Sequence, residues 1–298
     1  MTDTTASSPT LVSAWKAAQA RLKAGRIDSP SIDARLLLEA ATGAGRVDIL
    51  TDPYRPVTTD QASALDGFVE RRLKREPVSR ILGRKGFWKI MLNVTPDVLS
   101  PRPDTETILD IAMLAFPRHE AFSMIDLGTG SGAILLAVLA ERPAASGVGT
   151  DISSEALAVA RENAANLDLN ERAAFLRTEW AAGFGDHSFD FVASNPPYIP
   201  SGDIPGLDPE VRDHDPILAL DGGPDGLQAY RDLAPEIMRI LKPGGTFAVE
   251  IGFDQGAQVK SLFEDAGFDN VIVVKDLGDR HRVVTNGPDP RTNPIPKD

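Results

Sequence analysis

The chain contains no cysteine. That excludes a disulfide framework, thiolate metal sites and a cysteine nucleophile together. Histidine is scarce, and His119, His187, His214 and His281 stand at no metal-ligand spacing. No metal is expected. Long hydrophobic runs are missing as well. The longest, Ala133 to Ala140, is far shorter than the roughly 20 residues of a membrane-spanning helix. Met1 to Thr10 is polar and lacks the basic-then-apolar pattern of a secretory leader. A soluble, cytoplasmic protein with no membrane partner is expected.

Positive charge is deficient in one part of the chain only. Residues 101–298 hold 16 Lys+Arg against 32 Asp+Glu, residues 1–100 hold 15 against 11, and the total is −12. The acidic part repels a phosphate backbone, so no stable nucleic-acid binding is expected of it. The basic excess gathers at Arg71, Arg72, Lys74, Arg75, Arg80, Arg84, Lys85 and Lys89. It reads either as a solvated helix face with its following loop, or as a docking patch for an acidic partner or RNA.

A length of 298 residues suits two domains, and 42% hydrophobic residues supply a sizeable core. Residues 1–8 are expected to be disordered. Over residues 9–76 apolar residues recur at helical spacing: Leu11, Ala14, Trp15, Ala18 and Leu22 share one face. Ser31 caps a second helix carrying Ile32, Leu36, Leu37 and Leu38, and a third runs from Thr59 through Leu65, Phe68 and Leu73. Residues 77–100, split by Gly83 and Gly86, read as a β-hairpin linker. Pro101-Arg102-Pro103-Asp104-Thr105-Glu106 is a stiff loop, either a plain linker or the wall of a site.

From Phe122 strand and helix patterns alternate, which predicts an α/β domain over 101–286 with a mostly parallel sheet. Strands are expected at 123–127, 147–151, 173–177, 189–195, 246–251, 270–274 and 281–284. The tail, 287–298, is expected to be disordered.

Two stretches carry chemistry. Gly128-Thr129-Gly130-Ser131-Gly132 sits where a strand ends and a helix begins, and glycine there permits a tight turn and close ligand approach. Asp151 ends the next strand, where a carboxylate can accept both hydroxyls of a ribose. Together they form a nucleotide-type cradle, which a dehydrogenase would also satisfy. Asn195-Pro196-Pro197-Tyr198 separates the two readings. The Asn195 side-chain oxygen and the Pro196 carbonyl can accept both hydrogens of an NH2 group, the prolines stiffen the turn, and Tyr198 can stack on a planar group. Such a clamp orients a nitrogen for methyl transfer and stabilises the charge that develops on it. Ser131 lacks the Gly-x-Ser-x-Gly context of a hydrolase.

These stretches make the sequence similar to the HemK-type protein-(glutamine-N5) methyltransferases that modify peptide chain release factors. The resemblance spans roughly residues 77–285. It includes Arg80 to Gly83, Val98 to Glu106, the glycine turn, Asp151, Asn195 to Tyr198, and Leu218-Ala219-Leu220-Asp221-Gly222-Gly223. The Asn-Pro-Pro-Tyr run alone is shared with DNA amino-methyltransferases, and the segment around Arg102 to Glu106 narrows the choice.

The resemblance implies a class I methyltransferase fold, a Rossmann-like seven-stranded sheet over 101–286, behind a small helical N-terminal domain. It implies S-adenosyl-L-methionine as cofactor, held by Gly128, Thr129, Gly130, Ser131, Gly132, Asp151, Trp180 and Asn195, with Trp180 against the adenine. Asn195, Pro196, Pro197, Tyr198, Arg102 and Pro103 would hold the substrate, with Asn195, Pro196 and Tyr198 catalytic. The expected partner is a release factor methylated in its Gly-Gly-Gln motif by a monomeric enzyme. A ribosomal-protein glutamine, a DNA amino group and a non-catalytic binding module stay open. Asp104 stands where the family usually has Glu, and Arg212-Asp213-His214-Asp215-Pro216 where an aromatic before Glu-Pro is commoner.

Overall fold

The computed structural model describes residues 8–292. The expected disorder of 1–7 and 293–298 lies outside the described residues. Residues 287–292 carry turns rather than bare coil: Gly287 N donates to Thr285 Oγ1, and Thr292 N to the Asp289 carbonyl.

The chain divides after Gly83. The first unit is helical: α1 (Leu11–Ala24), α2 (Pro30–Thr42), α3 (Arg46–Thr51), α4 (Thr59–Leu73) and α5 (Val78–Leu82). Thr10 caps α1 by accepting from Ser13 N. Its core is built from Leu11, Ala14, Ala18 and Leu22 with Leu37, Leu38, Leu65 and Val69. Three expectations change here. The helix expected to be capped by Ser31 starts two residues earlier, at Pro30 behind Ser29, in the first turn where a missing N–H costs nothing. Ile32 stands exposed. The first residues of the expected hairpin, Val78–Leu82, are helical and end at Gly83 in the left-handed region, φ +67°. Within the basic stretch, Arg72 and Arg80 are buried, and Arg72 pairs with the buried Asp33 at 2.7 Å. Part of that stretch is therefore core rather than surface.

The second unit opens with the hairpin β1 (Arg84–Phe87) and β2 (Ile90–Asn93), then α6 (Glu106–Ala115). Next come β3 (Ser123–Leu127), α7 (Ala133–Glu141), β4 (Ser146–Asp151), α8 (Ser154–Asn166), β5 (Ala173–Arg177), β6 (Phe189–Ser194) and α9 (Pro209–Arg212). The chain closes with α10 (Gln228–Ile240), β7 (Leu241–Glu250), α11 (Gly256–Asp265), β8 (Ile272–Lys275) and β9 (His281–Thr285). The sheet order is β5-β4-β3-β6-β7-β9-β8, with only β9 antiparallel to its neighbours. Helices cover both faces, so the central strands are largely apolar: Met124, Ile125 and Leu127 are all fully buried. This is the expected seven-stranded Rossmann-like sheet. Strand order reverses between β3 and β6, the place where open α/β sheets form their ligand crevice. Among the described residues no helix is long and apolar enough to cross a membrane.

Candidate active site

β3 and β6 run parallel with Leu127 opposite Ser194, so the residues that follow each strand emerge side by side. The Ser194 hydroxyl donates to the Leu127 carbonyl at 2.7 Å and ties the two strand ends together. The glycine turn follows one end and Asn195 the other.

Gly128 and Gly130 have φ of +73° and +54°, which a side chain would strain. A Cβ at Gly130 would meet nothing within 4 Å, and the turn faces open space there. Gly132 differs. A Cβ on it would lie 2.9 Å from Leu136 Cδ1 and 3.4 Å from Ala160 Cβ, and it does not line the cavity described below. It lets α7 pack closely, away from the cavity that the rest of the turn lines. Asp151 Oδ2 accepts from Gly130 N at 3.0 Å and Oδ1 from Ser153 N at 2.9 Å. Each oxygen keeps one lone pair for another donor. Trp180 has φ +44°, a strained conformation for a bulky residue, and its ring edge lies over Gly128.

These residues line a cavity of about 460 Å³ together with Ser131, Asn195, Pro196, Pro197 and Arg102. A second cavity of about 320 Å³ shares Asn195 and Arg102 and adds Pro103, Tyr198, Glu250 and Arg282. Tyr198 and Pro103 thus face the second space and not the first.

The Arg102–Glu106 loop is pinned residue by residue. Arg102 pairs with the buried Asp215, Asp104 with Arg282 at 3.1 Å, and Glu106 accepts from Trp88 N in the hairpin turn at 2.8 Å. Thr105 Oγ1 accepts from Asn195 Nδ2 at 3.1 Å. The loop is a wall of the site, and Asp215 gives the unusual Arg212–Pro216 segment a structural role. Asn163, fully buried, donates to the carbonyls of Asn93 and Ser131 and fixes the hairpin to the glycine turn.

Sequence reasoning missed three polar residues. Asp126, next to last in β3, is fully buried, accepts from Thr129 Oγ1 at 2.6 Å and has no hydrogen-bond partner at Oδ1. Burial pushes its carboxyl up to about 7, and the Thr129 hydroxyl only partly offsets this. Glu250 ends β7 beside the second cavity. Its Oε1 accepts from the Tyr198 hydroxyl at 3.3 Å, while Oε2 has no hydrogen-bond partner. Burial raises it to about 7, against the Thr105 hydroxyl and Arg282, which favour the anion. The third is Thr105. The available signal was a carboxylate closing an apolar strand, as in Phe247-Ala248-Val249-Glu250.

Residues 13–83 match the PrmC N-terminal domain and residues 118–275 a methyltransferase domain. The release factor glutamine methyltransferase of Caulobacter vibrioides is 63% identical over 96% of this chain and 99% of its own length. Those of Agrobacterium fabrum, 44% over 90% and 94%, and Rhodospirillum rubrum, 47% over 88% and 80%, are also similar. The chain belongs to the release factor glutamine methyltransferase family. It is an S-adenosylmethionine-dependent methyltransferase of class I fold.

The first cavity fits that cofactor. Its volume suits a ligand of nucleoside size. The turn presents open space at Gly130, Asp151 keeps lone pairs free for hydroxyl donors, and Trp180 offers an aromatic face.

Proposed function

We propose that this enzyme methylates the side-chain amide nitrogen of a glutamine, and that its substrate is the Gly-Gly-Gln motif of class-1 peptide chain release factors. One observation carries the reading: Asn195 spends its NH2 on Thr105, which leaves its side-chain oxygen free beside the first cavity.

Gly128 to Ser131, Asp151 and Trp180 hold the cofactor. When bound, S-adenosylmethionine supplies an electrophilic methyl group on a sulfonium. Asn195 Oδ1 and the Pro196 carbonyl accept the two amide hydrogens of the substrate glutamine. Pro196 has no N–H to compete, and Pro197 stiffens the turn. A neutral amide nitrogen is a weak nucleophile because its lone pair is delocalised into the carbonyl. The two acceptors therefore act twice: they fix the nitrogen's direction, and they stabilise the positive charge that grows on it. Arg102, held by Asp215 where the two cavities meet, and Pro103 line the substrate side. Tyr198, anchored on Glu250, walls the second cavity.

The test is transfer of labelled methyl to purified release factor, beside a Gln→Ala variant of its Gly-Gly-Gln motif, ribosomal proteins and duplex DNA. Label on the wild-type factor alone is the expected result. Label on ribosomal protein or DNA alone would overturn the substrate assignment.

A further inference from the structure

Glu250 is a fully buried carboxylate to which the mechanism above gives only the anchoring of Tyr198. Two hydroxyls bear on it, and one of its oxygens is open. The Tyr198 hydroxyl donates to Oε1 at 3.3 Å, Oε2 has no hydrogen-bond partner, and the Thr105 hydroxyl is among the groups that favour its ionised form. Thr105, itself buried, accepts from Asn195 Nδ2 at 3.1 Å. A hydroxyl carries one proton to give. Once Thr105 has accepted from Asn195, that proton must go elsewhere, and the unpartnered Glu250 oxygen is the acceptor at hand.

We propose that Glu250 is a positioning residue: by taking the Thr105 proton it obliges Thr105 to accept from Asn195, and so turns the Asn195 oxygen toward the substrate nitrogen. The inference rests on the clamp described above and adds to it what sets the clamp's polarity. The two ends of an asparagine amide have nearly the same shape, so packing does not choose between them. Hydrogen-bond polarity does. An ionised carboxylate only accepts, so the order Glu250, Thr105, Asn195 runs one way. A protonated Glu250, or a glutamine there, can donate to Thr105. Thr105 is then free to donate to the asparagine oxygen, the amide turns over, and its NH2 meets the substrate NH2, donor against donor.

The charged groups that face Glu250 are Arg282, which favours its anion, and Asp104, which opposes it. Arg102 lines the same cavity, and Arg282 is held by Asp104 and Asp276, each at 3.1 Å. Tyr198 donates to the carboxylate, and Tyr230 donates to the Glu250 backbone carbonyl at 3.0 Å. With burial raising Glu250 to about 7, the relay sets as pH rises through neutrality.

The experiment uses the full chain with S-adenosylmethionine and release factor, over roughly pH 6 to 9. Glu250→Gln and Thr105→Val are each expected to lower kcat about 100-fold, the scale of losing one oriented polar group in a site. S-adenosylhomocysteine affinity should stay within about twofold by calorimetry, which is under 0.5 kcal/mol. The double variant should be no worse than the worse single one, because both break one relay. Thr105→Ser, which keeps the hydroxyl, should restore turnover. The wild-type rise in kcat near pH 7 should vanish in Thr105→Val, which loss of folding or packing would not produce. Wild-type kcat in Glu250→Gln, or additive losses in the double variant, would overturn the relay alone. Absence of the wild-type reaction on release factor would overturn the functional reading, and the relay with it.

Discussion

Asp126 and Glu250 are carboxylates in the last two positions of their strands, with almost no access to water. Both are raised to about 7 by burial, so the folded chain holds their protons more tightly than the unfolded chain does. The sign follows from linkage: their contribution to stability is full below the ordinary carboxylate pKa and is lost as pH rises through 7. Asp126→Asn keeps an acceptor for Thr129 and removes the ionisation. Relative to wild type it should gain about 4 kcal/mol between acid pH and pH 8, from a rise of about three pKa units. Denaturant unfolding at the two pH values measures this, and a pH-independent difference would contradict it. In the sequence these groups show only as carboxylates after short apolar runs, and it is their burial that gives them significance. Thr105 and Asn195 touch across 90 residues, and no spacing rule joins them. Gly128, Gly130, Asp151, Trp180 and Asn195 could be singled out because each lies at a strand end or turn whose chemistry is local, and the structure gathers them on one cavity. Gly132 shares the positive φ of the turn, at +82°, but a Cβ there would also crowd α7, and a run of three glycines does not say which ones face the ligand.

At the scale of elements, the loop after Tyr198 shows why short runs of sequence carry so much of the family's likeness. A Cβ on Gly222 would fall 2.8 Å from Tyr198 Cα and 2.9 Å from the Pro197 carbonyl oxygen, both backbone atoms. Ile199 N donates to the Leu220 carbonyl and Gly222 N to the Ile199 carbonyl, so the two segments are laced together. Gly222→Ala must push the Asn195–Tyr198 turn aside. A displacement near 1 Å costs on the order of 100-fold in turnover. We expect that loss in kcat, with cofactor affinity little changed, and wild-type kcat would show that the turn tolerates movement. Strand positions were legible from short apolar runs repeated between helical stretches. The start of β7 at Leu241 was not, because Lys242-Pro243-Gly244-Gly245 reads as a breaker, whereas the structure accommodates it as an irregular edge of the pairing with β6.

At the scale of the whole molecule, two units with separate cores divide the labour. The first contains the buried Asp33–Arg72 pair and a helical core. The second contains the sheet, both cavities and every residue of the candidate site. The division into a helical part and an α/β part was visible in the change of periodicity near Pro77. Its place after Gly83 was not, since Val78–Leu82 is too short for a helical period to show. The charge of the basic stretch was equally opaque, because a run of arginines does not reveal which of them turn inward.

The central claim is that one side-chain oxygen, Asn195 Oδ1, directs a weakly nucleophilic amide nitrogen. The most direct test is the single-turnover rate of methyl transfer to full-length release factor by Asn195→Ala, with S-adenosylhomocysteine binding measured on the same sample. We predict a loss of about 100- to 1,000-fold while the cofactor product still binds. A rate near wild type would contradict the account.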